Sequence, residues 1–307
     1  MNTDSGQLPE EPRAFQASLK SKAGKAAAES GLNTGELMAR FYHRVLMARI
    51  CAADPDGWVL KGGQALLVRW QGARYSSDVD LWRTRGGAEE AVAALREAAA
   101  TRELMPQIRF RYVDESRHQQ ERDTYKVRFE AYVGVKKQQI VSVDLVTNLL
   151  PQGQPALATL EPPFPVALDW PQVRMWPLED HVADKIVAMY EVHPGNIPSS
   201  RVKDLVDIVL IAHRSRVDGA TAHAAIQAEV ARRRQLGTQV ELPGKGFHVT
   251  DSRSWAPRYS QQAKKAADLP EQYHSLRGAA ALARRFVSPL LKSTAPGVWM
   301  PETMEWT

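Results

Sequence analysis

Lys61-Gly62-Gly63-Gln64-Ala65, followed after a short gap by Arg74-Tyr75-Ser76-Ser77-Asp78-Val79-Asp80, decides how this chain is read. Trp58-Val59-Leu60 reads as a short strand that delivers Lys61 to a glycine pair, and Gln64 to Trp70 as a helix opened by that pair. Backbone N–H groups at such a helix start can hold phosphate, helped by the helix dipole. Val79 to Trp82 reads as a strand. Asp78 and Asp80 sit two apart, so on a strand both point to one face. Carboxylates paired in this way suit Mg²⁺, which binds through a few carboxylates plus substrate phosphates.

Outward from this stretch, Leu37, Phe41, Val45, Leu46 and Ala48 make an apolar stripe that predicts a helix from about Thr34 to Ala52. A polar, Ala- and Lys-rich arm, flexible or helical, occupies residues 1–33. An Ala/Glu helix is predicted over 88–100. Strands are predicted over Ile108–Val113, Tyr125–Val133 and Gln139–Val146, the last two joined by the turn Gly134-Val135-Lys136-Lys137. A Pro-rich connector from Pro151 to Pro171 marks a domain boundary. Helices are predicted beyond it at Leu178–Glu191, Arg201–His213, Gly219–Gln235 and Leu276–Leu291, with Leu242–Pro270 loop-like or partly helical. The expected fold class is therefore α+β: an α/β domain over 34–150, then a mainly helical domain over 151–307.

Composition narrows the setting. The 307 residues are 44% hydrophobic, enough for a packed core. One cysteine, Cys51, excludes an internal disulfide framework, and its apolar helical surroundings suggest a buried structural thiol. No run approaches a membrane span and the N-terminus lacks a signal-peptide layout, so a cytoplasmic protein with no membrane partner is expected. The net charge is +5, and from Arg201 onward 16 Lys+Arg face 10 Asp+Glu. Two readings stay open: a polyanionic partner such as RNA, or a basic solvated surface.

A third carboxylate strengthens the opening signal. Asp144 lies in Ile140-Val141-Ser142-Val143-Asp144-Leu145-Val146, an apolar strand with one charge in it. Such a charge is expensive to bury unless paired or metal-bound. Beside Val79–Trp82, Asp144 would join Asp78 and Asp80 in a cluster whose mutual repulsion calls for cations. Two Mg²⁺ ions would suit in-line phosphoryl transfer from an NTP. Gly62 and Gly63 would approach its β and γ phosphates, Lys61 or Arg74 would neutralise phosphate charge, and Ser76 would donate a hydrogen bond.

The helical half carries a second set. Lys185 shares an apolar stripe with Val182 and Met189, either snorkelling or reaching for an anion. In Arg201-Val202-Lys203-Asp204-Leu205-Val206-Asp207-Ile208, Asp204 and Asp207 share a face and call for a buried partner, Lys185 or Lys203. A salt bridge between helices and a functional site are both compatible with this. No zinc-ligand spacing, catalytic triad or P-loop is present. Arg232-Arg233-Arg234, at a helix end, suit either phosphate or the helix dipole. Trp255, Tyr259 and Tyr273, interleaved with Arg253, Arg258, Lys264 and Lys265, suit single-stranded RNA or a core beneath basic residues.

Taken in order, Lys-Gly-Gly-x-Ala, Arg-Tyr-Ser-x-Asp-x-Asp, the strand Asp144, Asp184-Lys185 and Arg201-x-Lys203-Asp204-x-x-Asp207 resemble the AbiEii-type nucleotidyltransferase toxins. These belong to the DNA polymerase β-like nucleotidyltransferase superfamily. The closing Trp299-Met300-Pro301 and Trp306 resemble that family's tail, and the resemblance runs from about Leu37 onward. It implies a mixed-sheet nucleotidyltransferase domain with a helical partner, and a cognate antitoxin. It also implies transfer of a nucleotide, often from a pyrimidine NTP, to the 3′ end of tRNA, which blocks aminoacylation and translation. It makes Asp78 and Asp80 metal ligands and Lys61, Ser76, Lys185 and Asp204 further site residues. Arg201 joins Lys61, Gly62, Gly63, Arg74, Ser76 and Lys185 as a nucleotide- or phosphate-binding candidate. Many nucleotidyltransferases carry Gly-Ser where this chain has Gly62-Gly63. Small-molecule or protein acceptors, and a non-catalytic RNA-binding protein, remain as alternatives.

Overall fold

The computed structural model describes residues 8–117 and 123–307, so the first seven residues of the expected arm lie outside the described residues. The chain divides into two compact units. The first takes in the chain up to Val68, Ser76–Leu149 and Leu157–Met175, and the second takes in Arg69–Tyr75, Leu150–Ala156 and Trp176–Thr307.

The first unit is built on strands β1 (Trp58–Lys61), β2 (Asp78–Arg83), β3 (Ile108–Arg117), β4 (Thr124–Val133), β5 (Lys136–Val146), β6 (Ala156–Thr159) and β7 (Gln172–Met175). They form one sheet in the order β3-β4-β5-β2-β1-β7-β6. The sheet is mixed: β2 runs parallel to β5 and β1 parallel to β7, while β1–β2, β3–β4 and β4–β5 are antiparallel. Helices α1 (Pro12–Ser30), α2 (Thr34–Ala53) and α4 (Ala88–Ala100) pack on it, and α3 (Gly62–Arg69) follows β1 directly. Alternation decides which face is covered. Val79 and Leu81 of β2, Val127, Phe129 and Ala131 of β4, and Val141, Val143 and Leu145 of β5 are buried in one core with Phe41 and Leu46 of α2. The intervening residues, Asp78 and Asp80 among them, point to the opposite face.

Of the two readings of the arm, the helical one holds: it forms the 19-residue α1, whose Phe15, Leu19 and Ala23, one per turn, are fully buried. Two details differ from the expectations. The Pro-rich connector returns to the first unit: Leu160, Phe164 and Val166 enter its core, and β7 pairs with β1 through Val59↔Arg174 and Leu60↔Met175. The β4–β5 turn is tighter than expected, with Val133 paired to Lys136, because Gly134 takes the left-handed conformation at φ 58. Cys51 is buried, and burial pushes its thiol up to about 12.

The second unit is mainly helical: α5 (Leu178–Met189), α6 (Val202–Arg214), α7 (Gly219–Gln235), α8 (Ser252–Ala263) and α9 (Leu276–Leu290). Two small sheets accompany them. One has the order β11 (Gln239–Val240), β8 (Glu191–His193), β9 (Ile197–Pro198); the other has β10 (Val217–Asp218), β12 (Val298–Met300), β13 (Glu305–Trp306). Helix α6 is buried almost all round, from Val202 to Ala212 apart from Lys203, and so forms the axis of this unit. The tail closes on it: Trp299 is fully buried, donates from Nε1 to the Ala212 carbonyl at 2.7 Å, and meets Phe286 edge-on at 5.0 Å. Among the described residues, no helix is long and apolar enough to cross a membrane.

Candidate active site

The glycine pair is shaped by its neighbours in the first unit. Gly62 has φ +58, and a Cβ there would lie 1.8 Å from Asp80 Oδ2. A Cβ on Gly63 would lie 2.6 Å from Ser76 Cβ and 2.7 Å from its Oγ. The start of α3 is thus bare backbone against which the Asp80 carboxylate and the Ser76 side chain rest. Gln64 Nε2 donates to the Ser76 carbonyl at 2.7 Å and lies 3.0 Å from His43 Nδ1, tying α2, α3 and the lead into β2 together. Burial, with a smaller contribution from Arg44, lowers His43 to about 4 against an opposing pull from Asp78, so its ring is neutral near pH 7.

Gly62→Ala is therefore expected to cost about 1–3 kcal/mol for a side chain in the left-handed region. It should also displace the Asp80 carboxylate and depress activity further than stability alone explains. Urea unfolding together with a turnover assay reads both effects. A change below about 0.5 kcal/mol, the scale of an ordinary surface substitution, would contradict the close packing at Asp80.

The carboxylates are assembled by strand register. Asp80 is paired with Asp144 across the parallel β2–β5 ladder, and with Lys61 across the antiparallel β1–β2 ladder. Asp78 is paired with Ser142, on the same face. Ser77 Oγ donates to Asp78 Oδ2 at 3.0 Å. Lys126 of β4 sits beside them, its Nζ 3.2 Å from Asp144 Oδ1 and 3.6 Å from Asp78 Oδ1. Burial pulls the Lys126 ammonium down, but Asp144 and Asp78 together raise it above its ordinary range. The donor set fits a hard divalent cation: three carboxylates on adjacent strands, two of them already drawn to a positive charge. Among the described residues, however, no group of three or more His, Cys, Asp or Glu side chains converges as for a bound ion.

The second unit gathers the other candidates around α5 and α6. Lys185 Nζ donates to Asp204 Oδ1 at 3.1 Å and to Asp207 Oδ2 at 2.5 Å. Arg74 adds a bond to Asp207 Oδ2 at 2.6 Å and donates to the Lys203 carbonyl at 3.3 Å. Arg201 Nε donates to Asp204 Oδ2 at 2.6 Å. Arg74, Lys185, Asp204 and Asp207 are buried, and Arg201 and Lys203 are exposed. The partner that the Asp204/Asp207 face called for is thus Lys185, and Arg74 joins it. Burial pushes Asp204 up, but Lys185 and Arg201 outweigh it and hold its carboxyl down at about 2. Burial likewise pulls Lys185 down, and Asp207 and Asp204 more than restore it.

Other sequence signals resolve as scaffold. Arg232 and Arg233 bond to Glu229, and Arg233 also to Glu191. Trp255 and Tyr259 are core residues, with Tyr259 donating to the Tyr273 carbonyl at 3.0 Å. Sequence reasoning passed over Lys126, Gln64 and His43. None of the three was singled out by the pattern: His43 lies off the Phe41–Val45 stripe, and only the structure shows it buried.

The solved structures include two for comparison. MenT4, a nucleotidyltransferase toxin of Mycobacterium tuberculosis H37Rv, is similar at 14% identity over 85% of this chain and 99% of its own, with a TM-score of 0.53. JHP933 of Helicobacter pylori aligns at 15% identity over 78% of this chain and 90% of its own, with a TM-score of 0.43. The first of these shares the fold, and the second overlaps too loosely to argue from. No curated protein matches the chain. The family model of the nucleotidyl transferase AbiEii toxins of type IV toxin–antitoxin systems matches residues 44–287, a span holding both the β2–β5 carboxylates and the Lys185 cluster, and the chain belongs to that family.

Proposed function

We propose that this nucleotidyltransferase toxin uses Mg²⁺ to move a nucleoside monophosphate from an NTP, a pyrimidine NTP by family resemblance, to the 3′ end of tRNA in the cytoplasm. Translation then stops for want of acceptor ends, until a cognate antitoxin intervenes. One observation carries the reading: strand register aligns Asp80 with Asp144, with Asp78 on the same face and Gly62 cleared for the Asp80 carboxylate.

In this reading Asp78, Asp80 and Asp144 hold the divalent cations, through two sites. Bound there, Mg²⁺ would offset triphosphate charge and favour in-line displacement at phosphorus. Lys61 and the backbone at Gly62 and Gly63 take the β and γ phosphates, and Ser76 positions the turn that feeds β2. In the second unit, Lys185, Asp204 and Arg74 hold α5, α6 and the segment before β2 through their ion pairs. Arg201, its side chain 57% exposed, presents charge to a polyanion. The basic excess after Arg201 supports an RNA acceptor over a cationic small molecule.

The test is transfer of label from each of the four α-labelled NTPs to total tRNA, with Mg²⁺, comparing wild type with Asp80→Ala. Labelled tRNA in the wild type and none in the variant is expected. Label on a protein band, or on no RNA while NTP still binds, would move the acceptor to a protein or a small molecule.

A further inference from the structure

Lys126 lies among the proposed metal ligands. On β4 it is paired with Asp144 of β5, which is paired in turn with Asp80 of β2. Three adjacent strands therefore set Lys126, Asp144 and Asp80 in one row on one face, with Asp78 two residues before Asp80. The Lys126 ammonium reaches carboxylates from two strands, at 3.2 Å and 3.6 Å. That is the bridging position which a cation shared by Asp78 and Asp144 would take. Asp78 and Asp144 each turn an oxygen to the lysine.

We propose that Lys126 is a tethered cation which competes with the divalent metal for Asp78 and Asp144 and so sets the cation concentration at which the site loads. The proposal rests on reading Asp78, Asp80 and Asp144 as metal-binding. Without any cation, three carboxylates on neighbouring strands repel one another. The ammonium relieves that repulsion in the metal-free protein. It is also easily displaced: its side chain is 46% exposed, those of Asp78 and Asp144 are 38% and 36% exposed, and pairs this open are weakly held. Its flexible four-carbon stem lets the charge move into water when a divalent ion arrives.

The experiment is Mn²⁺ binding to the full chain without nucleotide, read as free Mn²⁺ by electron paramagnetic resonance and checked by the Mn²⁺-dependent rise in Tm. Lys126→Met should bind Mn²⁺ about tenfold more tightly than wild type, the scale expected for removing one charge next to a divalent site in a solvated setting. Lys126→Arg should stay within about twofold, since it keeps the charge. Lys126→Gln serves should the Met variant not fold. Unchanged or weaker binding in the uncharged variants, with binding still lost in Asp80→Asn, overturns the role of Lys126 and leaves the metal reading standing. Equal Mn²⁺ binding in wild type and Asp80→Asn overturns the metal reading and this proposal with it.

Discussion

Asp80→Asn is expected to lower nucleotidyl transfer by about a thousandfold or more, the scale of losing a preorganised electrostatic contact in an active site. Stability should stay within about 1 kcal/mol of wild type, since cross-strand charge pairs are worth no more than that. The substitution keeps shape: the amide is as large as the carboxylate that rests on Gly62, so the clearance there is unchanged. What it removes is charge. Asp80 is the central acid of its row, with Asp144 beside it on β5, Lys61 beside it on β1 and Asp78 two residues away. Relief of repulsion from two acids roughly balances the lost attraction to one lysine, so the fold has no reason to weaken. Transfer assays under saturating NTP, paired with urea unfolding, separate the two effects. A variant retaining more than a tenth of wild-type transfer would remove Asp80 from the proposed metal set. A variant that unfolds would show that Asp80 holds the β1–β2 pairing together.

The acids were legible because each breaks a local pattern. Asp78 and Asp80 alternate in a strand after a turn signal, and Asp144 is a lone charge in an apolar run. Their alignment was not legible, because it depends on β2 pairing with β5 across more than sixty residues of chain, and strand order is not a local property. Lys126 was hidden for the opposite reason. In Thr124-Tyr125-Lys126-Val127-Arg128 it is one more polar residue on the open face of an alternating strand, and only register sets it beside Asp144. The helices after Leu178 read well because their apolar periodicity is strong, and α6 is apolar nearly throughout. Helix α1 read as an arm because Phe15, Leu19 and Ala23 are diluted by lysines and alanines. The return of residues 157–175 to the first unit was masked by prolines that sit between its buried apolar residues and β7.

Lys185→Met is expected to cost about 3–5 kcal/mol, the usual penalty for removing one partner of a buried ion cluster. Lys185 bridges α5 to two acids of α6, in a site where its own side chain and those of Asp204 and Asp207 are at most 6% exposed. Without the ammonium, Asp207 keeps Arg74 and Asp204 keeps Arg201, but the two buried carboxylates lose the cation that they share. The loss is large against the roughly 5–15 kcal/mol that holds a typical domain folded. Pairing the variant with Asp204→Asn supplies the control, because Asp204 then no longer needs the lysine. The double variant should be more stable than the sum of the two single losses predicts, by about 1 kcal/mol or more. Acid unfolding gives a second readout with a definite sign. Asp204 titrates at about 2 in the fold, below its ordinary 3.8, so its contribution is full above about pH 4 and fades as pH falls toward 2. In Lys185→Met the Asp204 carboxyl should rise, and that contribution should shrink. If instead Lys185→Met keeps wild-type stability and loses transfer, the lysine acts on substrate, and the cluster belongs to the reaction rather than to the packing of α5 against α6.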